Sequence, residues 1–169
     1  MTHRSLTRRL IAHFATDHLS VRRAFPRSAL TRIEEAIAAG ERRHRAQICF
    51  AVEAALHPAH LLRRLTPRER ALEVFGLLRV WDTEENVGVL IYLLLADRDI
   101  EIVADRGAAH AAGPHAFAPI AAHMEEAFAG RRFVDGVVGG IDELSTLLAQ
   151  HFPRLHDGPN ELPDRAVVL

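Results

Sequence analysis

Lysine is absent from this sequence, and all 21 basic residues are arginine. The absence excludes the nucleotide-binding P-loop, Schiff-base enzymes and protein kinases, because each of these needs a lysine amine. The single cysteine, Cys49, excludes an internal disulfide framework and a multi-cysteine zinc site. No apolar run approaches the ~20 residues that a membrane span needs. What is present, 169 residues with 49% hydrophobic content, is enough for one globular domain with a sizeable core.

Charge is unevenly distributed along the chain. Residues 1–45 contain ten arginines and four acidic residues, whereas residues 46–169 contain eleven arginines and eighteen acidic residues. The basic part coincides with predicted helices, so we interpret it as a helical lead-in and not as a nucleic-acid-binding arm. Its first apolar stretch is interrupted by His13 and Asp17, which does not fit a signal peptide. We expect a cytoplasmic protein, with a peripheral position at the inner membrane left open.

The spacing of apolar residues predicts helices and strands that alternate along the chain. Strands are expected over residues 47–53, 87–95 and 100–104, the last two joined as a hairpin through the turn at Asp97 to Asp99. An alanine- and histidine-rich loop is expected after Gly107, and a surface tail from Pro153 onward. Helices are expected over residues 5–20, 28–40, 67–78, 114–129 and 134–151.

This order of elements predicts an α/β fold class, with a small mixed β-sheet sandwiched by α-helices. The first two strands are joined through a helix and should run parallel, and the third should return antiparallel. We divide the chain into a basic amphipathic N-terminal helical extension (residues 1–27), a main domain (residues 28–153) and a proline-containing C-terminal tail (residues 154–169).

Oxygen-bearing side chains converge at one end of the predicted sheet. We call the end at which the first strand begins the lower end, and the topology brings Glu41, Asp82, Asn86 and Asp105 towards it. Crowded carboxylates repel each other unless a cation or a shared proton compensates, and hard oxygen ligands suit Ca²⁺ or Mg²⁺. The alternative is that these side chains shape loops, end a strand and pair with neighbouring arginines.

Two other patterns have simpler explanations than catalysis. Asp97 and Asp99 imitate the aspartate pair of haloacid-dehalogenase-type phosphatases, but Asp99 leads straight into a strand, which favours a turn. His57 and His60 lack the spacing of a zinc-binding helix, and the histidines are interpreted as scattered, solvated side chains. No GxSxG nucleophile motif occurs.

A family resemblance includes the same lower-end residues. The stretches that carry it are Glu41, 46–48, 71–75, 86–91, 102–107, 133–136 and 151–153. On these stretches, residues 28–153 resemble a TPM domain, a family often labelled a phosphatase, and residues 160–165 resemble the end of short bacterial members without a membrane anchor. Two positions depart from the family pattern, since Val87 replaces a frequent asparagine and Phe117 a frequent tryptophan.

The resemblance implies a sheet sandwiched by helices and two alternative functions. As a binding or assembly module, the cleft holds Ca²⁺ or Mg²⁺ through Glu41, Asp82 and Asp105, while the basic helices contact a protein partner, at a membrane surface in one version. As a metal-assisted phosphatase, Asp105, Asp82, Asn86 and Arg106 act on a phosphate monoester, with the ion polarising the phosphoryl oxygen and Arg106 clamping the phosphate. We favour the binding module.

Overall fold

A computed structural model describes residues 6–154 and 161–169. The described residues form eight α-helices and four β-strands, in the order α1 (Leu6–Ala15), α2 (His18–Ala24), α3 (Arg27–Glu41), β1 (Gln47–Glu53), α4 (Pro58–Leu62), α5 (Pro67–Leu77), β2 (Gly88–Leu94), β3 (Asp99–Ala104), α6 (Arg106–Ala112), α7 (Ala118–Ala129), α8 (Phe133–His151) and β4 (Val167–Val168).

The strands form one mixed sheet in the order β3-β2-β1-β4. Strands β1 and β2 run parallel, with Ile48 opposite Val89, and β2 and β3 run antiparallel, with Val89 opposite Ala104. The predicted α/β class, the parallel pair and the hairpin are confirmed. The start of β1 and β2 and the end of β3 therefore share the lower end of the sheet, and the β2–β3 turn lies at the upper end.

Both faces of the sheet are buried, which explains the near-continuous apolar runs of β1 and β2. Alternate residues point to opposite faces of a strand. In β1, Ile48 and Phe50 belong to one core cluster, whereas Cys49 and Ala51 belong to the other. The only tyrosine, Tyr92, is completely buried in the second cluster and donates a 2.6 Å hydrogen bond to Glu53.

Helices cover the sheet on both sides, as the predicted sandwich requires. Helices α3, α7 and α8 supply buried side chains to the first cluster, and α5 supplies buried side chains to the second. A capping box between Thr66 and Glu69 starts α5, with Pro67 at the first helical position. Among the helices that the structure describes, none combines the length and apolarity needed to cross a membrane.

The N-terminal region differs from the single helix predicted over residues 5–20. Helix α1 ends at Ala15, and Asp17 then caps a separate helix α2, accepting a 2.9 Å hydrogen bond from the backbone N–H of Ser20. An aspartate is a strong N-cap, and this local signal interrupts the apolar periodicity. Residue 5 lies outside the described residues.

Two predicted connections contain short helices. The loop expected after Gly107 is wrong, because α6 begins at Arg106 with Asp105 as its N-cap. The connector between β1 and α5 contains α4, which His57 caps by accepting the N–H of Ala59. Alanine-rich and proline-initiated segments satisfy their backbone groups locally, so each forms a turn or two of helix.

The surface tail predicted from Pro153 is wrong for residues 161–169. Val167 and Val168 pair with β1 as an edge strand, and Leu162 and Ala166 are buried in the two core clusters. Apolar residues at the chain end complete the sheet at its open edge, which reduces exposure of unpaired backbone groups. The division of the chain after residues 27 and 153 stays a prediction.

Candidate functional site

Asp105 lies where β3 ends and α6 begins, at the lower end of the sheet. Its backbone N–H donates to the carbonyl of Gly88 at 2.8 Å, and its Oδ1 accepts the N–H of Arg106 at 2.7 Å. The residue is only 8% exposed, and Oδ2 is buried without a hydrogen-bond partner among the described residues. A buried carboxylate oxygen normally has a partner, so this atom is the chemically unusual feature of the site.

Asn86 closes the loop between α5 and β2 directly beside Asp105. Its φ of 56° is in the left-handed region, where asparagine is one of the tolerated residues. The carbonyl of Asn86 accepts the N–H of Gly107 at 2.9 Å, which joins this loop to the first turn of α6. A Cβ at position 107 would lie 2.7 Å from the carbonyl oxygen of Glu85, so the close approach of the two backbones requires glycine.

Arg106 completes the group that the structure brings together. Its side chain is 87% exposed, and Nη2 donates to Oδ1 of Asn86 at 3.1 Å. The guanidinium Nε lies 4.0 Å from Oδ1 of Asp105. Asn86, Asp105 and Arg106 are thus adjacent, as the predicted topology requires, and the exposed guanidinium is free to reorient towards an incoming anion.

Asp82 is on the same loop but does not join this group. Its carboxylate is 50% exposed and forms a 2.6 Å ion pair with Arg79, three residues earlier. Nearby, Glu85 pairs with Arg45 from the segment before β1. For Asp82, the structure matches the alternative in which an acidic loop residue pairs with a neighbouring arginine.

Glu41 is buried at the end of α3 and belongs to a different part of the lower end. Its Oε1 accepts the N–H of Ile48 at 2.8 Å, which fixes the start of β1 against the helix. Burial of the carboxyl group is the main reason that the pKa of Glu41 is raised to about 8. The carboxylate of Asp164 also raises this pKa, and the hydrogen bond from Ile48 opposes the increase. A carboxyl group that keeps its proton near neutral pH is a poor cation ligand.

The positions of Glu41, Asp82 and Asp105 determine which of them could hold a divalent cation. Within residues 6–154 and 161–169, no group of three or more His, Cys, Asp or Glu side chains is arranged to hold a metal ion. Asp105 fits a cation best, because it alone of the three proposed ligands has a buried, unpartnered oxygen. The role of Glu41, Asp82 and Asp105 in metal binding stays a prediction.

The residues that attach the C-terminal segment to this end were not predicted from the sequence. The Oε1 of Gln47 accepts the backbone N–H groups of Glu161 and Leu162, both at 2.9 Å, and the carboxylate of Glu161 accepts the N–H of Glu84 at 2.7 Å. These contacts join residues more than 70 positions apart, so no local pattern could have indicated them. They hold the loop that carries Asn86 against the sheet.

Comparisons with known proteins agree with this architecture. The BA42 protein of the psychrophilic bacterium Bizionia argentinensis, solved by NMR, is similar to this chain with a TM-score of 0.74 and 25% sequence identity. The match covers 84% of this chain and 93% of that one. No curated protein matches the chain.

A sequence model of the TPM domain family matches residues 22–147, which is well over half of the chain. The matched range contains every residue proposed for the lower-end site, from Glu41 to Arg106. The sequence resemblance is thereby confirmed, and the chain belongs to the TPM domain family.

Proposed function

We propose that this protein is a binding module that takes up a divalent cation at Asp105. The observation that carries the proposal is the Oδ2 atom of Asp105, which is buried and has no partner in the described part of the chain. A cation is the simplest partner for such an oxygen, since an unpaired buried charge is costly. Asn86 supplies amide and carbonyl oxygens beside it.

Calcium suits these donors better than a transition metal does. Asp105 and Asn86 offer hard oxygen atoms, and calcium accepts carboxylate, amide and carbonyl oxygens in variable geometry. The buried thiol of Cys49 is no competing ligand, because burial raises its pKa to about 11. We therefore place calcium first and magnesium second among the cations to test.

A metal-assisted phosphatase is the second candidate, and the exposure of Arg106 favours it. A guanidinium that is 87% exposed beside a buried carboxylate can contact a phosphate monoester from solvent. Here Asp105 and Asn86 hold the cation, which supplies Lewis-acid chemistry when bound, and Arg106 orients the phosphate. Asp82 takes part in this reaction only if it leaves its ion pair with Arg79, and its substitution tests this point separately.

The experiment compares the protein with the variant Asp105→Asn. Asparagine is also a good N-cap, so α6 keeps its first turn while the charge is lost. We expect calcium at about 100 times its Kd to stabilise the native protein by about 2.7 kcal/mol and the variant much less. Thermal unfolding and calorimetric titration measure both effects.

The matched control is Asp17→Asn, which alters the exposed N-cap of α2 and should leave the calcium effect intact. An equal loss in both variants, or no calcium effect on the native protein, contradicts the proposed site. Hydrolysis of p-nitrophenyl phosphate separates the two functions. Metal-dependent turnover that Asp105→Asn abolishes supports the phosphatase, and calcium binding without turnover supports the module.

The binding module also needs a surface for its partner, and we propose the outer face of α1 and α2. Ile11, Phe14 and Leu19 are 69%, 73% and 55% exposed, an unusual set of large apolar side chains on a basic segment. A contact with an anionic membrane predicts co-sedimentation with phosphatidylglycerol vesicles that Phe14→Gln weakens. A chain that stays in solution contradicts the membrane version and favours a protein partner.

A further inference from the structure

A cavity of about 840 Å³ opens at the upper end of the sheet, opposite Asp105. It lies where β2 leads into the β2–β3 turn, and its walls come from α1, α2, α3 and the start of α8. Both parallel strands β1 and β2 end on this side. Ligands of open α/β sheets commonly bind beyond the carboxyl ends of parallel strands, so the location is favourable for a binding site.

The charge of the cavity is strongly positive. Its single acidic residue is Asp135, which pairs with Arg32 at 3.2 Å. Five arginines line the cavity, and the four that do not pair with Asp135 form no ion pair within the part of the chain that the structure describes. The five arginines are Arg23, Arg32, Arg98, Arg131 and Arg132.

Tight backbone turns present two of these arginines. Arg98, in the β2–β3 turn, has φ 53°, and Arg131, before α8, has φ 58°. Their N–H groups donate to the carbonyls of Leu95 and Phe128 at 3.1 and 2.9 Å, which closes each turn. The backbone at these two positions is thereby held by hydrogen bonds, so both side chains start from ordered turns.

Apart from two hydroxyl-bearing side chains, the remaining wall is apolar and well supported. Leu95, Phe133 and Val134 line the cavity, and the ring of Phe133 packs against Phe128 and Phe25 with centroid distances of 5.3 and 6.2 Å. The volume is far larger than an orthophosphate ion needs and lies in the range of drug-sized ligand pockets, roughly 300–1,000 Å³. The occupant should therefore carry an organic group as well as negative charge.

We propose that this cavity binds a small organic molecule with two or more phosphate groups, of the size of a nucleoside diphosphate. Five guanidinium groups against one carboxylate match a polyanion, and the planar guanidinium fork bonds phosphate oxygens in pairs. The positive end of the α8 dipole adds to this field, because Phe133 begins that helix of 19 residues. The apolar wall receives the organic group.

This site goes beyond the proposed cation site, since it is at the other end of the sheet and uses none of the same residues. Calorimetric titration of the full chain with ADP, in buffer containing EDTA, tests it without contribution from a metal. We expect ADP to bind at least about ten-fold tighter than orthophosphate, and adenosine not to bind. Affinity should fall with added salt, because the contacts are ionic.

The double variant Arg98→Gln with Arg131→Gln should weaken ADP binding at least about ten-fold, since two charge-assisted contacts are lost. Arg64→Gln is the matched control, because Arg64 is also exposed with φ 56° but lies outside the cavity. The affinity of the Arg64→Gln variant for ADP should stay within about two-fold of the native value. If the double variant does not fold, Arg132→Gln replaces it, since that position has no positive φ.

Three results would overturn the proposal: no ADP binding, orthophosphate binding as tightly as ADP, or an equal loss in Arg64→Gln. Asp105→Asn should leave ADP affinity unchanged, and the arginine variants should leave the calcium effect unchanged. A negative result for the anion site at the upper end is thus distinguishable from a negative result for the cation site at the lower end.

Discussion

The two ends of the sheet hold charged groups in opposite ways. At the lower end, Glu41 and Asp105 are buried carboxyl groups, each with one oxygen bonded to a backbone N–H. At the upper end, the cavity arginines are exposed, and most of them have no ion pair among the described residues. The lower end is thus ordered by the fold itself, whereas the cavity at the upper end presents charge that the fold does not use.

Helix α3 contributes a charged residue to both ends of the sheet. The state of each residue therefore depends on which end of the helix it occupies. Helix α3 places Arg32 at the upper cavity and Glu41 against β1 at the lower end. Its N-terminal end favours anions nearby, and its C-terminal end does not favour the buried negative charge of Glu41. The orientation of α3 therefore supports an anion at the upper end and a protonated carboxyl group at the lower end.

Gly88→Ala should have the largest effect, because it breaks the close packing of the lower end. A Cβ at position 88 would lie 1.9 Å from the carbonyl oxygen of Val80, so the loop before β2 must move. We expect a loss of more than about 3 kcal/mol in the free energy of unfolding, measured by urea denaturation. Gly139→Ala is the control, since its Cβ meets no atom within 4 Å and alanine favours a helix. Equal stability of the two variants would show that the lower end is not tightly packed.

Glu41→Gln should give the next largest effect, and its sign depends on pH. Because the pKa of Glu41 is raised in the folded protein, its protonated form stabilises the fold. This stabilisation is fully present below about pH 4.5 and is lost as the pH rises through about 8. Glutamine keeps the acceptor for Ile48 but cannot ionise. We expect the variant to be more stable than the native protein by about 2–3 kcal/mol at pH 9, with little difference at pH 5. Denaturation at both pH values measures this, and a pH-independent difference would contradict a buried titrating group.

Asp99→Asn should show the same pattern at the upper end, but more weakly. Burial, and then the nearby carboxylates of Glu101, Glu125 and Asp97, raise the pKa of Asp99 to about 7, with Arg9 opposing them. The stabilisation by protonated Asp99 is fully present below about pH 3.8 and is lost as the pH rises through about 7. We expect a gain of about 1–2 kcal/mol in the variant at pH 8, since Asp99 is only partly buried. A gain as large as that of Glu41→Gln would mean that the two ends bury carboxyl groups equally.

The sequence predicted most of the sheet because β1 and β2 are buried on both faces, which gives them continuous apolar runs, and because β3 largely alternates between buried and half-buried residues. The bounds expected for β1 match the structure, and those of β2 and β3 differ by a residue. Strand β4 was missed, because two valines near the chain end become a strand only when β1 is already in place. Helix α6 was missed because its cap, Asp105, was interpreted as the end of a strand.

The candidate sites were predictable only where topology decides proximity. The order of the strands brings Asn86 and Asp105 together, and this was expected from the sequence. The pairing of Asp82 with Arg79 and the bond of Glu41 to Ile48 depend on side-chain orientation, which strand order does not determine. The cavity arginines come from α2, α3, the β2–β3 turn and the segment before α8, so no single stretch indicates them.

Asp82→Asn should have the smallest effect and decides how far the lower-end site extends. The carboxylate is 50% exposed and its partner Arg79 is 67% exposed, so the ion pair contributes little to folding. We expect the free energy of unfolding to change by less than about 0.5 kcal/mol and the calcium effect to match that of the native protein. Thermal unfolding with and without calcium measures both, beside Asp105→Asn. Loss of the calcium effect in Asp82→Asn would mean that the loop rearranges when the cation binds, since Asp82 would then have to leave Arg79 and join Asp105, as the sequence first suggested.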